Sequence, residues 1–276
     1  MRRIEISGAG GLTLVADQGG ATGDPPVILL HGGGQTRHAW DSTAHALLDH
    51  GYQVLALDLR GHGESQWSPD GDYTLDVLAA DLRMAASRFA RPVVLVGASL
   101  GGLTSLLAAG EHEVDVRALL LVDVVPRMNA QGTAEIRAFM QAHPEGFDSI
   151  DAAARAISTF LPHRPAPDDA SGLAHNLRKR PDGRYRWHWD PALLRHGGPT
   201  RDIDRLEHAA RAITVPTCLI RGGLSRVVRE EEVARLRELI PHAECATVDG
   251  ADHMVAGDRA DRFNRLLLDF LGRHPA

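Results

Sequence analysis

Val93-Val94-Leu95-Val96-Gly97-Ala98-Ser99-Leu100-Gly101-Gly102 decides how the chain is read. Its valine-rich apolar run predicts a parallel strand covered on both faces. The small residues after it open into an apolar helix carrying Leu103, Leu106, Leu107 and Ala108. Gly97-Ala98-Ser99-Leu100-Gly101 is therefore G-x-S-x-G in its meaningful setting of strand, sharp turn and helix. Such a turn leaves no room for a Cβ at Gly97 or Gly101. It lifts the Ser99 hydroxyl above the sheet edge in a strained conformation. The helix behind aims free N–H groups and its positive dipole end at the same place. Ser99 is the candidate nucleophile.

Working outward, residues 2–7 and 12–17 alternate apolar and polar side chains around Gly8, Gly10 and Gly11, which predicts an antiparallel hairpin. Val27-Ile28-Leu29-Leu30, Val54-Leu55-Ala56-Leu57, Ala118-Leu119-Leu120-Leu121-Val122 and Val215-Pro216-Thr217-Cys218-Leu219-Ile220 are further strands, with helices at about 38–50, 74–89, 228–240 and 257–272. A last strand is expected at 243–248. This alternation predicts an α/β architecture, a mostly parallel central sheet with helices on both faces. It lapses over residues 126–210, where helical stretches (132–142, 149–161, 202–213) surround a Pro- and Asp-rich loop at 162–172 and Tyr185-Arg186-Trp187-His188-Trp189. The expected organisation is thus a core of 1–125 and 211–276 carrying a helical cap insertion, 126–210.

In open parallel sheets the site lies beyond the C-terminal strand ends. His31, Ser99, Asp123, the loop after Ile220 and His253 all fall at such ends. A serine hydroxyl needs a base to remove its proton, and the base needs a third group to orient it. His253, after the last strand, is the candidate base. Asp58 and Arg60-Gly61-His62-Gly63, also at a strand end, are read as ties between neighbouring loops.

His31-Gly32-Gly33-Gly34, Asp58-Leu59-Arg60-Gly61-His62-Gly63-Glu64-Ser65, the Ser99 motif and Gly250-Ala251-Asp252-His253 together resemble the α/β-hydrolase superfamily, in particular its cofactor-free haloperoxidase and esterase type. The resemblance runs from about residue 25 to the C-terminus, outside the cap. It implies the α/β-hydrolase fold and an oxyanion hole made by the N–H groups of Leu100 and Gly33, with Gly34 as a second candidate. His31 is expected to buttress this loop.

The family usually places an aspartate a few residues past the strand ending at Ile220. Here Arg226 stands in that loop, and a guanidinium cannot accept a proton-bearing ring nitrogen. Asp123, at the end of the strand next to the nucleophile strand, resembles the acid position of some hydrolase relatives and is favoured as the acid over Glu230 or no acid. Arg226 is expected to pair with a carboxylate such as Asp252.

The implied activity is a serine hydrolase acting on a small ester, lactone or related carbonyl compound. Two other chemistries use the same His–Asp pair, C–C bond hydrolysis and cofactor-free dioxygenation. A ligand receptor of the same fold, without turnover, is the non-enzymatic alternative. Trp40, Phe139, Phe160, Trp187, Trp189 and Met254 are candidates for the pocket wall, and His188 and Arg186 for contact with a polar substrate group.

The 276 residues are 43% hydrophobic, enough for a large core, and the net charge of −6 has no basic run that would suit nucleic acid. No stretch approaches a membrane span or a signal peptide, so a cytoplasmic location is expected. Cys218 and Cys245 lack metal-ligand spacing, and neither a metal nor an organic cofactor is implied. The expected partner is a small-molecule substrate, with a homodimer left open.

Overall fold

The computed structural model describes residues 1–161, 171–197 and 202–275. The Pro- and Asp-rich loop expected at 162–172 therefore lies, through residue 170, outside the described residues. Among these, eight strands form one sheet in the order β1-β2-β4-β3-β5-β6-β9-β10. They are β1 (Arg2–Ser7), β2 (Thr13–Gly19), β3 (Pro26–Leu30), β4 (Gln53–Leu57), β5 (Val93–Ala98), β6 (Val116–Val122), β9 (Thr217–Gly222) and β10 (Glu244–Val248). β1 pairs antiparallel with β2 and β2 with β4, and every other neighbouring pair is parallel.

The central strands are apolar at successive positions because both faces are covered. Ile28, Leu30, Leu95, Leu119 and Leu121 point into one core layer, and Val27, Leu29, Val94, Val96, Leu120 and Val122 into the other. The first layer is closed by α2 (Leu75–Ala86), α3 (Ser99–Gly110), α6 (Ile203–Ala212) and α7 (Glu230–Leu239). The second is closed by α1 (Asp41–Asp49) and α9 (Ala260–Arg273), which follows the short α8 (Val255–Asp258). Period-two alternation across a doubly covered sheet thus makes one continuous strand run serve two cores.

Between β6 and β9 the chain leaves the sheet. It forms α4 (Ala130–Gln141), α5 (Ile150–Phe160) and a small antiparallel pair, β7 (Leu177–Lys179) with β8 (Tyr185–Trp187). Phe147, Ala153 and Leu177 make a satellite core there. The helix expected inside the insertion up to residue 210 is α6, and it packs instead in the main layer. Leu206, Ala209 and Ala210 are buried in it. Its backbone comes so close to α3 that a Cβ on Gly110 would stand 2.2 Å from the Ala209 carbonyl oxygen.

Gly110→Ala is therefore expected to push α6 off α3 and to cost about 1–3 kcal/mol, as overpacking does. Urea unfolding measures it, and an unchanged midpoint would show that the two backbones are not locked together.

Candidate active site

The turn from β5 into α3 has the strain that the sequence pattern predicts. Ser99 sits at φ 45°, left-handed for a residue with a side chain. Its neighbours explain the glycines. A Cβ on Gly97 would meet the Gly101 carbonyl at 2.5 Å, and one on Gly101 would meet the Leu30 carbonyl at 2.4 Å. Leu100 follows as the second residue of α3, in the first turn, where N–H groups have no intrahelical acceptor.

Asp123, one residue past β6, is likewise left-handed at φ 48° and is fully buried, at 0% exposure. A buried carboxylate must be met by donors, and three reach it. Gly222 N–H donates to Oδ1 at 3.0 Å, and both the Ser225 hydroxyl (2.7 Å) and His253 Nδ1–H (2.8 Å) donate to Oδ2. With Nδ1 carrying the proton toward Asp123, Nε2 of the neutral ring is the acceptor nitrogen. Gly222 also lets the His253 loop come close, since a Cβ there would lie 2.4 Å from the Asp252 carbonyl oxygen. Glu230, the alternative acid, is 79% exposed and paired with Arg221.

The His31–Gln35 loop is held by neutral histidines. Gly32 C=O accepts from His31 Nδ1–H (2.8 Å) and from Gln35 N–H (3.1 Å). Because the peptide is planar and trans, Gly33 N–H must point the opposite way. Gly34 N–H, in contrast, donates to His62 Nε2 at 3.1 Å, so this second candidate is already spent within the protein. His62 Nδ1–H donates to Arg60 C=O (3.1 Å), and His31 Nε2 accepts from Leu59 N–H (3.0 Å). His188, in the insertion, accepts from Gly63 N–H at Nδ1 (2.6 Å) and turns Nε2 to Gly34 C=O at 3.4 Å. Burial pushes each of His31, His62 and His188 down to about 3.

Asp58 ties the same region from below. It accepts from Arg37 N–H and its guanidinium and from Glu64 N–H. Gly63, at φ 53°, is needed because a Cβ would fall 2.1 Å from Asp58 Oδ2.

Ser99, His253, Gly33 and Leu100 line one cavity of about 520 Å³ between the sheet edge and the insertion. Phe139 and Met140 of α4, Ile157 and Phe160 of α5, Trp187, Trp189 and Met254 complete a largely apolar wall. Trp40 is not part of it. It is 1% exposed, packs on Phe263 and borders only a neighbouring space of about 220 Å³. Arg226 pairs with Glu135 of α4 at 2.6 Å, lies over the Phe160 ring and is 3.9 Å from Asp252. Its expected partner is thus secondary to Glu135.

The sequence profile of the α/β-hydrolase fold matches residues 25–260. An esterase of Mycobacterium tuberculosis is 35% identical over 85% of this chain and 78% of its own length. Its solved structure superposes with a TM-score of 0.77 at 30% identity, over 98% of this chain and 92% of that one. The chain belongs to the α/β-hydrolase family. This α/β-hydrolase is also 30% identical to an N-formylmaleamate deformylase of Pseudomonas putida, over 90% of this chain and 89% of the relative. A crystal structure of E-2-(acetamidomethylene)succinate hydrolase shares the fold with a TM-score of 0.86 at 24% identity, covering 98% of this chain and 99% of that one.

Ser225 and Gly222 were not singled out from the sequence, nor was His188 as a loop support. Ser225 had one available signal, a hydroxyl in the loop where the usual carboxylate is missing. His188 had none, because its partners come from residues more than a hundred positions away. Among the described residues of this hydrolase no cluster of three metal-binding side chains occurs, and no helix is long and apolar enough to cross a membrane.

The three depressed histidines set an acid sensitivity. In the unfolded chain they titrate near 6.5, so between about pH 6.5 and 3 the unfolded state binds more protons and stability falls as pH falls. His38, raised by Asp41, opposes this with one group against three. Urea unfolding at pH 7 and pH 5 is expected to show a lower free energy at pH 5, by up to ~1.4 kcal/mol per pH unit for each buried ring. Equal values at the two pH values would mean that these rings accept protons in place.

Proposed function

We propose that this α/β-hydrolase cleaves a small ester or lactone by way of an acyl-serine. Ser99 Oγ attacks the carbonyl carbon as His253 Nε2 takes its proton. The imidazolium formed is stabilised by Asp123, and the oxyanion by the N–H groups of Gly33 and Leu100. His253 then protonates the departing alcohol oxygen, and the carbon–oxygen bond breaks. Water, deprotonated by His253, attacks the acyl carbon; the bond to Ser99 Oγ breaks as His253 returns the proton to Oγ, and the acid leaves.

The observation that carries this reading is the buried Asp123 carboxylate 2.8 Å from His253 Nδ1, at the edge of the cavity that Ser99 lines. An imidazole that must gain a proton during the reaction needs such a partner. The peptide geometry at Gly32 supports Gly33 as the loop donor, and the bond from Gly34 to His62 argues against Gly34. The apolar wall from α4 and α5 supports a cap whose role is to take the acyl part. The esterase among the relatives points the same way, whereas the deformylase favours a second reading, hydrolysis of a carbon–nitrogen bond by the same steps.

A p-nitrophenyl ester series tests the scheme. Ser99→Ala is expected to abolish turnover and labelling by a fluorophosphonate. Asp123→Asn should lower kcat by roughly 10⁴, because the ring is left in the wrong tautomer, whereas Glu230→Gln should leave it unchanged. Full activity in Ser99→Ala overturns the acyl-serine, and a large loss in Glu230→Gln moves the acid. Activity on formamides but not on esters would select the second reading.

A further inference from the structure

Gly34 is gripped at both of its backbone polar groups by histidines from different parts of the chain. Its N–H is held by His62 and its C=O faces His188 Nε2. His62 belongs to the loop after β4, whereas His188 follows β8 in the insertion. The insertion is in turn sewn to that loop. Asp190 N–H donates to Gly61 C=O (2.9 Å), Tyr73 OH donates to Asp190 (2.6 Å), and the Arg178 guanidinium reaches Gly63 C=O.

His188 is 1% exposed and does not line the cavity, so the sequence expectation that it meets a polar substrate group does not hold. Its two neighbours, Trp187 and Trp189, do line it. Anything that presses on those two rings therefore acts on the residue between them.

We propose that His188 is a positioning residue that registers the cap against the Gly32–Gly34 loop, so that the Gly33 donor is aimed only while the cap segment around Trp187 and Trp189 is seated. The proposal rests on the acyl-serine reading for its effect on rate, but not for its effect on the loop. The mechanical link is the Gly34 peptide. With Gly32 C=O fixed from one side and Gly34 fixed from the other, Gly33 has its two flanking peptides clamped. Release of the His188 clamp frees the peptide that follows them, whose Gln35 N–H donates to Gly32 C=O (3.1 Å), so the hold on the first of the two slackens. His31, His62, Asp58 and Arg178 are the charged or titratable groups that act on the ring.

Two isosteres separate the two ends of the ring. The amide of His188→Gln reaches the Nε2 position and keeps a donor for Gly34 C=O. The amide of His188→Asn stops at the Nδ1 position and keeps only the acceptor for Gly63 N–H. Each is assayed by ester turnover and by hydrogen–deuterium exchange over residues 31–37. His188→Asn is expected to lower kcat about tenfold with KM within about twofold, and to speed loop exchange. That is a fraction of what losing an oxyanion donor outright costs. His188→Gln is expected to stay near wild type in both.

Slow exchange and full kcat in His188→Asn overturn the proposal, as does an equal loss in both variants, which would mark a merely structural role. If ester turnover proves independent of Ser99, the acyl-serine reading falls while loop exchange still decides the role of His188. Should His188→Asn not fold, Arg178→Gln loosens the Gly63 seat without altering the ring. It is then expected to speed loop exchange, and unchanged exchange there counts against the proposal.

Discussion

A carboxylate with no access to water holds the working end of this molecule together. Asp123 has given up its hydration, and in return it takes hydrogen bonds from a strand end (Gly222), a loop hydroxyl (Ser225) and the His253 ring. Hydrogen bonds to a charged group are worth about 1.5–3 kcal/mol each, and removing one donor leaves part of a buried charge unpaired. Three segments far apart in sequence must therefore arrive together. Ser225 passes the constraint on, because its oxygen also accepts from the N–H groups of Val227 and Val228. The loop that orients the carboxylate is thereby fixed in shape, and its next residue, Arg226, ties α4 to the core.

Two of the three left-handed non-glycine residues among those described stand at the site, each held in a strained backbone conformation. Ser99 and Asp123 are each left-handed immediately after adjacent parallel strands, at the edge where the sheet opens. Such conformations persist only when the surroundings over-determine them. Around Ser99 the glycines let three backbone segments close to contact, and around Asp123 the three donors do so. Rigid strands, with alternating side chains locked into two cores, supply the resistance against which both are bent.

The doubly covered strands, their order of helices and the elbow at Ser99 were legible because each is a local pattern whose cause lies within about ten residues. Asp123 was singled out by its place at the end of the strand beside the nucleophile strand, and the structure sets it 2.8 Å from His253 Nδ1. The docking of α6 was not legible, because amphipathic spacing over 202–213 says that a face is buried but not against what. Trp40 was misplaced for the same reason. An aromatic residue after the glycine loop packs equally well into the core, and here Phe263 takes it. Of the supports of the loop, His31 and the Asp58–Gly63 stretch were read from the sequence, whereas His188, whose ring partners lie more than a hundred residues away, was not. A histidine that bonds two main-chain groups leaves no trace in composition or period.

That choice of support has a physical logic. On the proposed mechanism the loop offers an N–H to a developing negative charge, and such a loop is best braced by groups that carry no charge of their own, since a carboxylate near it would repel the oxyanion and a cation would bind anions before substrate. Arg37, with Asp17, Asp58 and Glu64, sets an ionic frame beneath the loop. The loop itself is met by imidazoles kept neutral through burial. Each ring accepts from one main-chain N–H and faces a main-chain carbonyl with its other nitrogen, a pairing that only the neutral form can satisfy. Neutrality and geometry thus enforce each other. A ring that gained a proton would have to release its N–H partner, and one that lost its partners would no longer be buried enough to stay neutral.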